Sequence, residues 1–127
     1  MLTSKNSMIL IDHYLCQENP MSKLANRDYR SSNITYTSKC NQAMLIIGFD
    51  VRGTALTFTF NFFGKNKEKN MAFFKKTLDN YATKEQHPLL PEVVIKKDEL
   101  VLTAYNAYIE YNHKDLAKVI FDCFLSF

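Results

Sequence analysis

Along Thr54–Gly64, TALTFTFNFFG, the residues Leu56, Phe58, Phe60 and Phe62 alternate with Thr57, Thr59 and Asn61. Successive side chains of a strand point to opposite faces, so this spacing predicts a strand with one apolar and one polar face. The same period of two runs through NITYTSK, where Ile34 and Tyr36 alternate with Thr35 and Thr37. Between these segments, SKCNQ reads as a turn. AMLIIGFD follows and is apolar on both sides, with Met44 and Ile46 on one and Leu45, Ile47 and Phe49 on the other. That pattern predicts a central strand covered on both faces. Asp50 and Gly53 in DVRG suit the first and fourth positions of a tight reversal. The three strands therefore form an antiparallel meander.

Elsewhere the period lengthens. In KNKEKNMAFFKKTLDNYA, Met71, Phe74, Leu78, Tyr81 and Ala82 share one helical face, with Lys and Asn opposite and Asn66 or Asn70 as a cap. TKEQHPLLPE is a loop closed by Pro88 and Pro91. VVIKKDELVLT and AYNAYIEY then read as a strand, a turn at Lys96–Asp98, and a long strand from Glu99 to about Tyr111. Asn112 is a good N-cap for a final helix, with Asp115 near its positive end. Leu116, Val119, Ile120, Cys123, Phe124 and Phe127 form its apolar stripe. At the start, SKNSMILIDHYLCQEN predicts a helix capped at Ser4 or Ser7, although Met8–Ile11 could equally start a buried strand. PMSKLANRDYRSS reads as a polar connection.

The expected fold is thus α+β: a five-stranded antiparallel sheet with helices mainly on one face, in the order α-β-β-β-α-β-β-α. The covered face is that of Phe58 and Phe60, under the helices of 66–82 and 115–127. The opposite face is open, made partly apolar by Leu45, Ile47 and Phe49, or by Tyr105 and its neighbours.

The chain of 127 residues has room for one domain, 1–127, with a sizeable core. With 46% hydrophobic and only 23% charged residues, it is expected to fold rather than stay disordered. A net charge of +3 is too small to imply nucleic acid, which demands a concentrated basic face. Cys16, Cys40 and Cys123 are odd in number and widely spaced, which predicts reduced thiols in a cytoplasmic protein. The apolar run Met8–Ile11 is too short for a signal segment or a membrane span.

Candidate chemistry changes the picture little. His13, His87 and His113 fall into no HxH or HExxH pattern and no Cys–His cluster, so no metal site is expected. Cys123 lies on an apolar stripe, where packing outweighs nucleophilic chemistry. Glu92, Asp98, Glu99 and Glu110 are scattered over strands and turns. With three glycines and no GxGxxG, P-loop or GxSxG, the chain predicts neither a phosphate cradle nor a cofactor. No enzymatic activity is expected. The lysines of Lys65–Lys76, flanking Phe73 and Phe74, could contact phosphate and stack on bases. A solvated helix face explains them more simply. Tyr105, Tyr108 and Tyr111 present large semi-polar area, a residue type favoured at recognition surfaces. With Phe49, they are the candidate partner-binding residues.

The element order, and LPEVVIKKDELVLTAYNAYIEYNHKDLAKVIFDCFL in particular, resembles the type III secretion chaperone-like superfamily. These are small α+β proteins ending in strand, turn, strand and helix. The resemblance implies a homodimer that binds an extended segment of a client protein, without catalysis. The leading expectation is therefore a non-enzymatic protein-binding domain, chaperone-like or adaptor-like. The alternative is a neutraliser of another protein, such as a toxin-immunity or inhibitor protein. A nucleic-acid binder using Lys65–Lys76 ranks third.

Overall fold

The structure, a computed structural model, describes residues 3–17, 25–28, 33–37, 42–50, 52–84 and 91–124. The expectations for Cys40, His87, Pro88 and Phe127, and for the side chains of Cys16, Ala82, Cys123 and Phe124, lie outside the described residues. The order is α1 (Ser4–Gln17), β1 (Ala25–Asp28), β2 (Asn33–Thr37), β3 (Ala43–Phe49), β4 (Ala55–Phe62), α2 (Lys67–Lys84), β5 (Glu92–Lys96), β6 (Glu99–Tyr105) and α3 (Asn106–Phe124). All five expected strands and three expected helices are present. A short further strand, β1, pairs with β2 at the sheet edge, within the segment that reads as a polar connection. The antiparallel sheet has the order β1-β2-β3-β4-β6-β5.

Register explains which face is buried. Ile34, Ile47, Phe58, Leu102 and Val93 lie opposite one another across five strands, and so do Tyr36, Leu45, Phe60, Leu100 and Ile95. Paired residues share a face, so these two rows form the floor of the core. Helix α1 packs over β3 and β4 and against α3, α2 lies over β4 and β5, and α3 packs on β6. Phe74 of α2 stacks on Phe60 at 4.4 Å and meets Phe62 edge-on at 5.9 Å. Each such ring contributes roughly 1.5–3 kcal/mol by burial. Leu45 and Ile47 therefore belong to the helix-covered side rather than the open one. Phe49, opposite Leu56, is half-buried and packs against this same core.

The helix starts differ in detail from expectation. Thr3 caps α1: its hydroxyl accepts the Asn6 N–H at 3.1 Å. Ser4 and Ser7 instead face inward, and the fully buried Ser7 hydroxyl has no hydrogen-bond partner among the described residues. Buried Asp12, one turn further along α1, accepts a hydrogen bond from the Tyr36 hydroxyl and so ties α1 to β2. Asn66 precedes α2, and its carbonyl accepts the Asn70 N–H at 2.9 Å.

The largest departure lies at the end of the sheet. AYNAYIEY is not a continuation of β6: the strand stops at Tyr105 and α3 begins at Asn106 without a loop. The Asn106 N–H donates to the Thr54 carbonyl at 2.9 Å, and its side-chain amide donates to Ser4 Oγ at 3.0 Å and the Gly53 carbonyl at 3.1 Å. One buried amide thus joins α1, the β3–β4 turn and the start of α3. Asn112 has non-helical φ/ψ (−124, 16) inside α3. It does not begin α3, but it stands at the kink between two helical segments, where the expected final helix takes over from the first; its amide donates to the Tyr108 carbonyl at 3.1 Å, closing that first segment.

Asp50 organises the β3–β4 turn. Its carboxylate accepts the Thr54 N–H (2.8 Å), the Thr54 hydroxyl (3.1 Å) and the Ala55 N–H (3.1 Å). Desolvation pushes its pKa up, but the hydrogen bonds from Ala55, Thr54 and Gly53 outweigh it and hold the carboxyl below its usual 3.8.

A carboxyl depressed in the folded state contributes stability that is present above the usual value and lost as pH falls through the folded one. Asp50→Asn should therefore be destabilising at neutral pH, with the gap from wild type closing in urea titrations as pH drops below about 3.8. Ile120, fully buried on α3, tests whether that helix is integral to the core. Ile120→Ala should cost about 2–5 kcal/mol, read as a lowered urea midpoint; an unchanged midpoint would detach α3 from the fold.

Candidate functional site

Alternation puts the remaining strand residues on the side away from the helices. Thr35, Ile46, Thr59, Val101 and Val94 form one row across β2, β3, β4, β6 and β5. All five are β-branched. On one side runs the row Thr37, Met44, Asn61, Glu99 and Lys96; on the other runs Gly48, Thr57, Thr103 and Glu92. Most of these side chains are half-buried by their neighbours, while Val94 is 36% and Tyr105 46% exposed. The helices pack on the opposite side, so among the described residues the rows form an open face. An open recess between Asn61, Lys96, Lys97, Asp98 and Glu99 marks its end at the β5–β6 turn.

The expected partner-binding residues separate. Tyr105 ends β6 on the open face, in register with Ala55. Tyr108 lies on α3, is fully buried, and its hydroxyl meets that of Tyr81 at 2.5 Å. It is a core residue that joins α2 to α3. Tyr111 is 80% exposed, but on α3 rather than on a strand. Phe49 is core-facing, as described above. The reason is the switch from period two to helical spacing after Tyr105: Tyr108, Asn112, Leu116 and Ile120 recur every four residues. That stripe is visible in the chain, but the high strand propensity of four tyrosine and isoleucine residues within Tyr105–Tyr111 masks it.

Ile46, Val101 and Val94 were not legible as a site. Their types suit a strand, but their adjacency needs the pairing register of four different strands.

Other clusters carry less. Tyr14 of α1 packs against His113 of α3 (4.9 Å) and against His13 (5.3 Å), with the Lys114 ammonium 5.5 Å from its ring. His113 Nδ1 lies 3.0 Å from the Ile109 carbonyl. These contacts fasten α1 to α3. In the lysine-rich segment, Lys75 pairs with Asp79 at 2.5 Å, Phe74 is buried, and Phe73 is 53% exposed. The two phenylalanines thus lie on different sides of α2 and make no common stacking platform. Among the described residues, no group of three or more His, Cys, Asp or Glu side chains could hold a metal ion. Among them, too, no helix is long and apolar enough to cross a membrane.

The two tyrosines at 105 and 108 should respond oppositely to truncation. Tyr108→Ser should cost about 3–5 kcal/mol, as for other buried aromatic rings, whereas Tyr105→Ser should stay within about 0.5 kcal/mol. Urea denaturation of both variants reads the difference. The sequence matches no protein-family model and no curated protein, which leaves this surface as the guide to function.

Proposed function

We propose that this protein is a non-enzymatic protein-binding domain, chaperone-like or adaptor-like, that holds a segment of a client protein against its open sheet face. The observation that carries this reading is the row Thr35, Ile46, Thr59, Val101 and Val94, beside exposed Tyr105, on a face that no helix covers among the described residues. β-Branched side chains are stiff at χ1, so ordering them against a partner costs little rotamer entropy. Their methyl groups offer apolar contact, and the threonine hydroxyls can donate to or accept from a client's polar groups. Aromatic Tyr105 supplies an anchor of the kind that dominates interface energetics. The resemblance to secretion chaperones implies a role of the same kind, exercised in the cytoplasm.

A charged side chain in the middle of this face would have to be desolvated on binding without a partner. Val101→Lys and Ile46→Lys should therefore weaken client binding by roughly tenfold or more, about 1.4 kcal/mol. Affinity capture from the native lysate identifies the client, and calorimetry on the purified pair measures the loss. Variants that keep the wild-type urea midpoint and still bind at full strength would remove the open face from consideration. A complex of two copies per client favours the chaperone, and an equimolar complex favours a neutralising role.

A further inference from the structure

The outer edge of the sheet at β5 carries a self-complementary charge pattern, negative at one end and positive at the other, and we propose that it pairs antiparallel with β5 of a second copy to make a two-fold dimer with one continuous sheet. Among the described residues β5 bonds only to β6, so its outer edge has no strand neighbour there. Such edges invite a further strand unless they are blocked. This one is bounded rather than blocked. Pro91, which has no N–H to donate, precedes it, and Lys97 in the left-handed region (φ 53) turns the chain away after it. Five residues, Glu92-Val93-Val94-Ile95-Lys96, are left to pair.

The hairpin decides which of them face outward. With Lys96 opposite Glu99 across a two-residue turn, that pair is the hydrogen-bonded one, and so are Val94–Val101 and Glu92–Thr103. The N–H and C=O groups of Val93 and Ile95 therefore point away from β6. An antiparallel second copy must match outward residues with outward residues. Centring the two-fold on Val94 does so: Val93 exchanges both hydrogen bonds with Ile95 of the second copy, and Ile95 with its Val93. The same register sets Glu92 opposite Lys96 of the second copy, on both sides of the axis, and packs Val94 against its own symmetry mate. Slipping by two residues one way sets Glu92 against Val94; slipping the other way sets it against Asp98. Only the centred register matches every charge with its opposite.

The exposure pattern agrees. Val94 (36%) on the open face and Ile95 (42%) on the helix side are both exposed for their type, and both would be covered by the second copy. Among the described residues, neither Glu92 nor Lys96 has an ion-pair partner within its own chain. In the dimer, Glu99, Lys96 and Glu92 of the second copy alternate in sign along one row, which favours pairing. The dimer does not depend on a client at the open face, but it would join two such faces edge to edge.

Charge reversal tests the register. Sedimentation velocity over a concentration series should show wild type passing from monomer to dimer, the short strand making this equilibrium concentration-dependent. Glu92→Lys alone and Lys96→Glu alone each put like charges opposite one another at both symmetric positions, and should weaken the dimer by about tenfold. The double variant, Glu92→Lys with Lys96→Glu, restores opposite charges and should recover it. Ile95→Pro removes an outward N–H while sparing the bonds to β6, and should abolish the dimer with the fold, read by circular dichroism, retained. A wild type that stays monomeric at every concentration would overturn the proposal. So would a dimer indifferent to single reversals, or single-variant losses that the double variant fails to rescue. Failure of the open-face variants to affect client binding leaves this outcome untouched, because Ile46 and Val101 lie outside β5.

Discussion

The alternation of Leu56, Phe58, Phe60 and Phe62 along β4 is the constraint on which the rest of the molecule depends. These four side chains have to leave water together, and they lie on one face of a strand near the middle of the sheet. Once they do, register carries the same decision outward to Ile34, Tyr36, Leu45 and Ile47 on one side and to Leu100 and Leu102 on the other. All three helices then lie on that side, because only there is apolar surface enough to bury their own stripes. A one-residue slip of any strand would expose its whole apolar set, so the arrangement is strongly specified.

The same alternation determines the opposite face. Threonine and β-branched aliphatic residues occupy its central row, with Met44, Asn61, Gly48 and the charged Glu92, Lys96 and Glu99 beside them. The result is intermediate in polarity, which is the character of a recognition surface that can also tolerate water. Buried polar groups fasten the helical layer to the sheet without touching this face. Asp12 holds Tyr36, Asn106 holds Ser4 and Gly53, and Tyr81 meets Tyr108, all on the helix side or at the sheet end. The proposed binding at the open face and the integrity of the core thereby fall to different residues.

Function in this reading follows from edges and faces rather than from a catalytic cluster. The open face offers area, and the β5 edge offers unpaired backbone groups with a charge pattern that reads the same from both sides of a two-fold axis. These are independent devices. As proposed, one would hold a client by side-chain contact, and the other would join copies of the chain through main-chain hydrogen bonds.

Much of the architecture is a local property of the chain. The period of two in Thr54–Gly64, the period of 3.6 in the segment after Asn66, and the turn residues at Asp50 and Gly53 suffice to identify β4, α2 and the reversal between β3 and β4, because each depends on neighbours only a few residues away. The α+β class and element order follow from these. Local pattern failed where two periods overlap: after Tyr105, strand-favouring aromatic residues hide the four-residue spacing that places Tyr108 in the core, and the apolar run of β3 does not reveal which of its faces meets the helices. The pairing of Ile47 with Phe58 settles the second point, and the hydrogen bond from Asn106 to Thr54, 52 residues apart in sequence, pins the helix start that settles the first. The row from Thr35 to Val94 likewise exists only in the folded sheet. Residue types can announce a strand's two faces, but which side chains from distant strands become neighbours is a matter of register, and register is decided by the burial of the whole core at once.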